Sequence, residues 1–233
     1  MTKKENQSTM QERVMIIFAH PDDAEGNCGG TTAKWAREGK VIHYLVLTNG
    51  DKGSWDLSMT SEKLAGIRKK EQEAAAKILG FSGVTFLGVP DGELEASQPL
   101  REEVTRVIRQ HQPTVVFAHD PWKSYQTHPD HRAAGFLAMD AVVAARDHLF
   151  YPDQLAQGVS PCRVKEVYLF GTDHPDFWAD ISENIEVKLQ AVRCHVSQGL
   201  AFQGVQERIR KRALEVGKFS GYLYGEAFKK IVM

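Results

Sequence analysis

Two hydrophobic patterns alternate along this chain. Short uninterrupted apolar runs, of which residues 14–19 are the first, are typical of strands buried on both faces of a parallel sheet. Segments with apolar residues three or four positions apart are typical of helices, and the clearest spans 60–79, before Gly80. The predicted strands are 14–19, 41–48, 84–87, 114–118 and 167–170. The predicted helices are 29–38, 60–79, 100–110, a long helix after Pro129, and 185–196.

This alternation predicts the fold class. Strands that alternate with helices are joined by right-handed crossovers into a mainly parallel sheet, so we expect an α/β, doubly wound sandwich. No linker or domain-scale repeat divides the chain, and we predict a single domain over 13–233 after a flexible tail over 1–12. Ligands of such sheets bind beyond the carboxyl ends of the strands.

The tripeptide His-Pro-Asp occurs three times. The copies at 20–23 and 128–131 each end in a further side chain that can bind a metal, whereas Phe177 follows the third copy. A residue before proline is extended and proline suits the first turn of a helix, so each copy is predicted to be an elbow from strand to helix. The first two copies follow predicted strands and should therefore lie at the same edge of the sheet.

The two elbows supply a candidate catalytic site. We predict that His20, Asp23 and His131 bind zinc, because this set leaves a position for a water that the metal acidifies to a pKa near ~7. The alternative is that all three are ordinary polar turn residues. Asp22 is predicted to be the general base, or else a helix N-cap. His128 is predicted to stabilise an oxyanion or protonate a leaving amine, or else to be a fourth ligand or a solvated turn residue.

Three further polar residues have less specific interpretations. Asp130, inside the second elbow, is predicted to orient a metal ligand through a hydrogen bond. His174, in the third tripeptide, is expected to be a turn residue, with a place on the rim of the substrate site as the alternative. His195 is either a packing histidine or a contact between subunits.

Composition and charge narrow the class of protein. The 233 residues are 42% hydrophobic and 25% charged, as in an ordinary soluble globular protein. With 29 basic and 30 acidic side chains the net charge is -1, which excludes a global field that recruits nucleic acid or membrane, so the expected partner is a small molecule. Three cysteines without a Cys-x-x-Cys pair, a polar start and no run of ~20 apolar residues lead us to expect a cytoplasmic protein.

These motifs resemble those of the LmbE-like (PIG-L) zinc deacetylase family. The resemblance is carried by residues 19–25 and 128–131 and, less specifically, by 48–51, Arg68 with Glu71, 90–94, and Lys188 with 195–198. It implies a Rossmann-like three-layer sandwich, one zinc per chain, and removal of the N-acetyl group from N-acetylglucosamine-containing small molecules. It also implies a homo-oligomer, either a trimer or a hexamer.

The resemblance assigns the same metal ligands, base and electrophilic histidine as the residue types do. It further implies that Arg68 and Asp91 contact the substrate. Taken alone, Arg68 would be a solvated helix charge and Asp91 a plain turn residue.

Two other functions fit parts of the pattern. A phosphoesterase with two metals would need additional ligands, which His119, Asp120 and Asp130 would have to supply. A non-catalytic metal- or ligand-binding protein would need neither Asp22 nor His128, and the presence of both argues against it.

Overall fold

The structure is a computed structural model that describes residues 11–233; of the predicted tail, residues 1–10 lie outside the described part. The strands are β1 (Arg13–Phe18), β2 (Val41–Thr48), β3 (Gly83–Val89), β4 (Val115–His119), β5 (Glu166–Phe170), β6 (Phe177–Asp180) and β7 (Gly225–Val232). The helices are α1 (Asp23–Arg37), α2 (Ser61–Leu79), α3 (Gln98–His111), α4 (Pro129–Arg146), α5 (Pro152–Ala156), α6 (Ile185–Val192) and α7 (Gln203–Lys218), with a 3-10 turn at Val196–Gln198. Among residues 11–233, no helix has the length and hydropathy needed to cross a bilayer.

The strands form one seven-stranded sheet in the order β3-β2-β1-β4-β5-β7-β6. The first five pair in parallel, and β7 pairs antiparallel with both β5 and β6. Helices cover both faces, because α3 and α4 pack into one hydrophobic core and α1, α2 and α6 into another. The predicted three-layer α/β sandwich with a mainly parallel sheet is confirmed.

The uninterrupted apolar run of β1 is explained by its central position between two cores. Met15 and Ile17 point into the core beneath α3 and α4, whereas Ile16 and Phe18 point into the core beneath α1 and α2. All four are fully buried. Each such side chain stabilises the fold by about 1.5–3 kcal/mol relative to exposure, so a strand in this position cannot alternate apolar with polar residues.

The chain reverses direction across the sheet between β1 and β4. From β1 it passes outwards through β2 to β3, and then returns through α3 to β4 on the other side of β1. Ile17 pairs with Ala118 in this register, so both strands end at the same edge. Such a reversal leaves a crevice beyond the carboxyl ends of the two strands, where ligands of this class of sheet bind.

The first helix begins six residues earlier than the predicted 29–38. Its first half contains Gly26, Gly29 and Gly30, which lower helix propensity and so hide the true start at Asp23. Close packing requires glycine at position 30, because a Cβ there would lie 2.8 Å from the side chain of Ile181.

The C-terminal third differs most from the sequence prediction. The third His-Pro-Asp leads into strand β6 rather than into a helix, and its Asp176 carboxylate accepts a hydrogen bond of 2.6 Å from Lys229 Nζ. Strand β7 was hidden by its charged residues. One of them, Glu226, is buried because it forms an ion pair of 2.5 Å with Lys188 of α6 and accepts hydrogen bonds from Thr31.

Two helical glycines should respond in opposite ways to alanine. Gly66 of α2 is exposed, and an added Cβ would meet nothing within 4 Å beyond its chain neighbours and the backbone of its own helix, so Gly66→Ala should raise the free energy of unfolding by about 0.5–1 kcal/mol. In Gly135→Ala the new Cβ would lie 2.7 Å from the carbonyl oxygen of His119, forcing α4 away from β4 and lowering that free energy by about 1–3 kcal/mol. Urea denaturation of both variants measures these changes, and a Gly135→Ala protein as stable as wild type would contradict this packing.

Candidate active site and metal centre

The two predicted elbows meet at the crevice beyond β1 and β4. His20 Nδ1 lies 3.2 Å from His131 Nε2, although the residues are 111 positions apart. Asp23 Oδ1 lies 3.2 Å from His131 Nε2, and Asp23 Oδ2 lies 3.4 Å from His20 Nδ1. The structure therefore brings the three predicted ligands together in a ligand triangle, in which Asp23 faces His20 with one carboxylate oxygen and His131 with the other.

Local backbone geometry fixes the first elbow. The His20 N–H donates to Asp23 Oδ2 at 2.7 Å, and the Asp23 N–H donates to the His20 carbonyl at 3.2 Å. These two bonds close a tight turn at Pro21 and place Asp23 in the first turn of α1. In the second elbow, His128 is extended with ψ 119° and Pro129 opens α4, which points His131 back towards the crevice.

The triangle has the size that a tetrahedral metal requires. An ion about 2.0–2.1 Å from each donor holds neighbouring donor atoms about 3.4 Å apart. The 3.2 Å between His20 Nδ1 and His131 Nε2 is close to that value, and each of these nitrogens has one Asp23 oxygen at 3.2 to 3.4 Å. Two imidazole nitrogens and a carboxylate oxygen are, moreover, a set that binds zinc-like ions and leaves one coordination position open.

Two other histidines lie next to His131. His128 forms a group of potential ligands with His20 and His131, and His119 forms one with Asp23 and His131, each with ligand atoms within 4.8 Å of one another. The rings of His119 and His128 stack on the ring of His131, with interplanar angles of 21° and 19°. Ring lone pairs lie in the plane of the imidazole, so stacked rings direct them side by side rather than to one point. The His20 and His131 rings are tilted by 55°, which allows convergence.

A third group of potential ligands lies on the far side of the His20 ring. His20 Nε2 is 2.9 Å from Asp130 Oδ2 and 3.1 Å from Asp91 Oδ1. Asp130 is fully buried and also accepts hydrogen bonds from the backbone N–H groups of Gly92 and Leu94. A metal-binding histidine usually donates its other ring N–H to a carboxylate, which is the arrangement here and the role predicted for Asp130. Asp91, predicted to contact substrate, is placed against the same nitrogen.

Electrostatics favour an ionised carboxylate at the centre of the site. Burial opposes charge on Asp23, but His119, His131 and His20 together hold its pKa well below the usual range. Burial likewise lowers the pKa of His20, yet hydrogen bonds to Asp23 and Asp91 raise it to about 10. A cluster that holds a proton this tightly is one in which a divalent cation can take the place of that proton.

Asp22 occupies an unusual backbone conformation next to the predicted metal ligands. Its φ is 111°, and within the described chain its side chain makes no capping bond to α1, so the N-cap alternative is not observed. The Asp22 carboxylate lies 3.2 Å from Arg68 Nη2. Burial raises the pKa of Asp22 to about 7, although Arg68 opposes this rise. A carboxyl group with such a pKa can exchange protons near neutral pH.

Arg68 is buried rather than solvated. It donates to the Gly50 carbonyl at 2.9 Å and to the Pro21 carbonyl at 2.5 Å. The loop after β2 passes so close that a Cβ on Gly50 would lie 2.5 Å from the guanidinium, which explains the glycine there. Arg68 thus ties the first elbow to the loop after β2.

His128 lies beside the ligand triangle. Its ring centroid is 4.5 Å from that of His20, and its Nδ1 is buried without a hydrogen-bond partner among residues 11–233. Burial, followed by the charges of His20 and His131, lowers the pKa of His128. The neutral imidazole is therefore favoured in this structure, and an interaction with an oxyanion would rest on a ring N–H rather than on a full positive charge.

Sequence reasoning assigned His119 only to a second metal. In the structure His119 Nε2 lies 3.2 Å from Asp23 Oδ2, the same carboxylate oxygen that accepts from the His20 N–H. The sequence feature that indicates a place for His119 in the site is its position at the carboxyl end of β4. This position is equivalent to that of His20 after β1.

Burial decides between the alternative interpretations of His195 and His174. His195 is fully buried with Nε2 at 3.4 Å from Glu25 Oε2, as expected of a packing histidine rather than a subunit contact. His174 is exposed in the turn before β6, where its backbone N–H donates to the Thr172 hydroxyl.

Comparison with known proteins identifies the class. Residues 15–142 match the family model described as PIG-L, GlcNAc-PI de-N-acetylase. The chain is 37% identical over 220 residues to diacetylchitobiose deacetylase of Thermococcus kodakarensis, covering 94% of this chain and 82% of the relative. The structure of N,N'-diacetylchitobiose deacetylase from Pyrococcus horikoshii superposes with a TM-score of 0.89 at 35% identity, covering 99% of this chain and 87% of that one.

The chain belongs to the PIG-L family. The predicted family and the predicted class of enzyme, an amide hydrolase, are confirmed by these matches. The family resemblance extends to another reaction as well: 4-oxalmesaconate hydratase of Pseudomonas putida is 29% identical over 205 residues, covering 83% of this chain and 76% of the relative.

Three aspartates of the two elbows should differ in their effect on metal affinity. Asp130→Asn loses the contact to His20 and should weaken Zn²⁺ binding about 10–100-fold. Asp23→Asn removes a donor atom and should weaken Zn²⁺ binding further. Asp22→Asn is the matched control, and this variant should bind one equivalent of Zn²⁺ with the affinity of the wild type. Calorimetric titration of metal-free protein measures this order. An Asp23→Asn variant with wild-type affinity would rule out the triangle.

Proposed function

We propose that this protein is a zinc-dependent hydrolase that removes the N-acetyl group from an N-acetylglucosamine-containing small molecule. The observation that carries the proposal is the triangle of His20, Asp23 and His131 donor atoms, 3.2 to 3.4 Å apart, with Asp22 and His128 beside it. One zinc per chain would be held by these three residues. When bound, zinc acidifies a water and polarises a carbonyl.

The side chains of this chain supply the remaining steps. Asp22 accepts a proton from the attacking water as the water oxygen bonds to the acetyl carbonyl carbon. His128 donates a ring N–H to the oxyanion of the resulting tetrahedral intermediate. The carbon-nitrogen bond then breaks, the proton held by Asp22 passes to the leaving nitrogen, and acetate and a free amine are released. Asp130 orients His20 through its Nε2.

The names of the relatives support the choice of substrate class. The family model is described as a GlcNAc-PI de-N-acetylase, and the relative from Thermococcus kodakarensis acts on diacetylchitobiose. We therefore propose a small N-acetylated sugar, with an N-acetylglucosamine oligomer as the first to test. Arg68 and Asp91 stay predicted substrate residues.

The rival functions have weaker support. A second metal would need Asp130, whose two oxygens are already bonded to His20, Gly92 and Leu94. A non-catalytic binding protein gives no reason for the strained Asp22 beside the triangle. The homo-oligomer and the cytoplasmic location stay predictions.

Acetate release tests the proposal. Zinc-loaded wild type should release acetate from N,N'-diacetylchitobiose, and Asp22→Asn should lower kcat by about 10²–10⁴-fold while keeping its zinc. Asp176→Asn, in the third His-Pro-Asp, is the matched control and should be fully active. Full activity of zinc-bound Asp22→Asn would contradict the base assignment, and phosphate-ester hydrolysis or hydration of 4-oxalmesaconate without acetate release would replace the proposed function.

A further inference from the structure

Asp22 is held in a backbone conformation that L-amino acids rarely adopt. Its φ of 111° and ψ of -20° lie in the region that favours glycine, whereas its neighbour Asp23 begins a regular helix. A residue keeps such a conformation only when its surroundings fix it, and residues of this kind cluster at functional sites. The contacts that fix Asp22 are therefore candidates for a functional role.

One such contact comes from a buried side chain of α2. The Asp22 N–H donates to Gln72 Oε1 at 2.9 Å, and Gln72 is fully buried. This hydrogen bond fixes the backbone nitrogen of the strained residue. Arg68, one turn earlier on α2, holds the other end of the same peptide group by donating to the Pro21 carbonyl. Both polar groups of the peptide that precedes the Asp22 α-carbon are thus fixed by one helix.

The orientation of the Gln72 amide is set by a second buried residue. Gln72 Nε2 donates to Glu25 Oε1 at 2.6 Å, which leaves Oε1 as the atom that faces Asp22. An ionised carboxylate only accepts hydrogen bonds, so Glu25 excludes the flipped amide that would present an N–H to the Asp22 N–H. Glu25 is itself fully buried, and its other oxygen lies 3.4 Å from His195 Nε2.

We propose that Gln72 and Glu25 are positioning residues that hold the Asp22 carboxylate at the reacting atoms. Glu25 fixes the amide of Gln72, and Gln72 fixes the peptide of Asp22. This inference rests on the proposed function in one respect, namely that Asp22 is the base. Neither residue touches the ligand triangle, so the metal ligands keep their geometry without them.

The test is a double-mutant cycle on zinc-loaded full-length protein. Gln72→Met keeps the length of the side chain but cannot accept the Asp22 N–H, and it should lower kcat for acetate release by about 10–100-fold with unchanged zinc content and KM. In an Asp22→Asn background the same change should lower kcat less than about threefold, because its effect passes through Asp22. Equal losses in both backgrounds would overturn the proposal.

Gln154→Met is the matched control. Gln154 is also fully buried, with its amide bonded to Arg109 and to the Glu102 carbonyl, and this site is on the other face of the sheet. Its substitution should lower the unfolding midpoint but not kcat. A loss of kcat equal to that of Gln72→Met would show a merely structural effect and would also overturn the proposal.

Two measurements keep the inference testable if Gln72→Met fails to fold or if no substrate is found. Glu25→Gln preserves shape but no longer enforces the orientation of the Gln72 amide, and kcat should fall about tenfold. In a crystal structure of either variant, Asp22 should leave positive φ or its carboxylate should shift by about 1 Å. An unmoved Asp22 would overturn the positioning role, whereas a wild type inactive on every N-acetyl sugar would overturn only the proposed function.

Discussion

The parallel pairing of β1 with β4 is the constraint on which the site depends. It brings two elbows that are more than a hundred residues apart to one crevice, with the donor atoms of His20 and His131 only 3.2 Å from each other. Groups that accept hydrogen bonds do not approach so closely without a proton or a cation between them. Three features hold these two strands and their helices in place. They are the continuous apolar sequence of β1, the two hydrophobic cores, and the close contact of Gly135 with β4.

Around this pair, buried charges are arranged in partnered sets. Asp130 bonds His20 and two backbone N–H groups, Glu226 bonds Lys188 and Thr31, and Glu25 faces His195. A buried charge without a partner is strongly destabilising, so each set constrains the elements that supply its members. The set that includes Glu25 differs from the others because it leads, through Gln72, to the backbone of Asp22.

Sequence patterns predict the helices and strands whose bounds depend on residues nearby in the sequence. Strand β2 has the bounds that its apolar run indicates, and α2 begins one residue after the predicted start because Thr60 caps it. The start of α1 and the whole of β7 could not be predicted, because the first depends on glycines packed against Ile181 and the second on a charge pair with Lys188, 38 residues away.

The same distinction applies to the site. The candidate ligands lie in short motifs at the ends of strands, where spacing and topology together indicate a metal. The contact of Asp22 with Gln72 joins segments 50 residues apart. It depends on how α2 packs over the sheet edge, and a single sequence carries no signal for it.

Anomalous diffraction from crystals grown with one equivalent of Zn²⁺ tests the central claim most directly. The account predicts one peak per chain, about 2.0–2.2 Å from His20 Nδ1, His131 Nε2 and an oxygen of Asp23. A peak on the far side of the His20 ring, between Asp91 and Asp130, or no peak in the crevice, would contradict it.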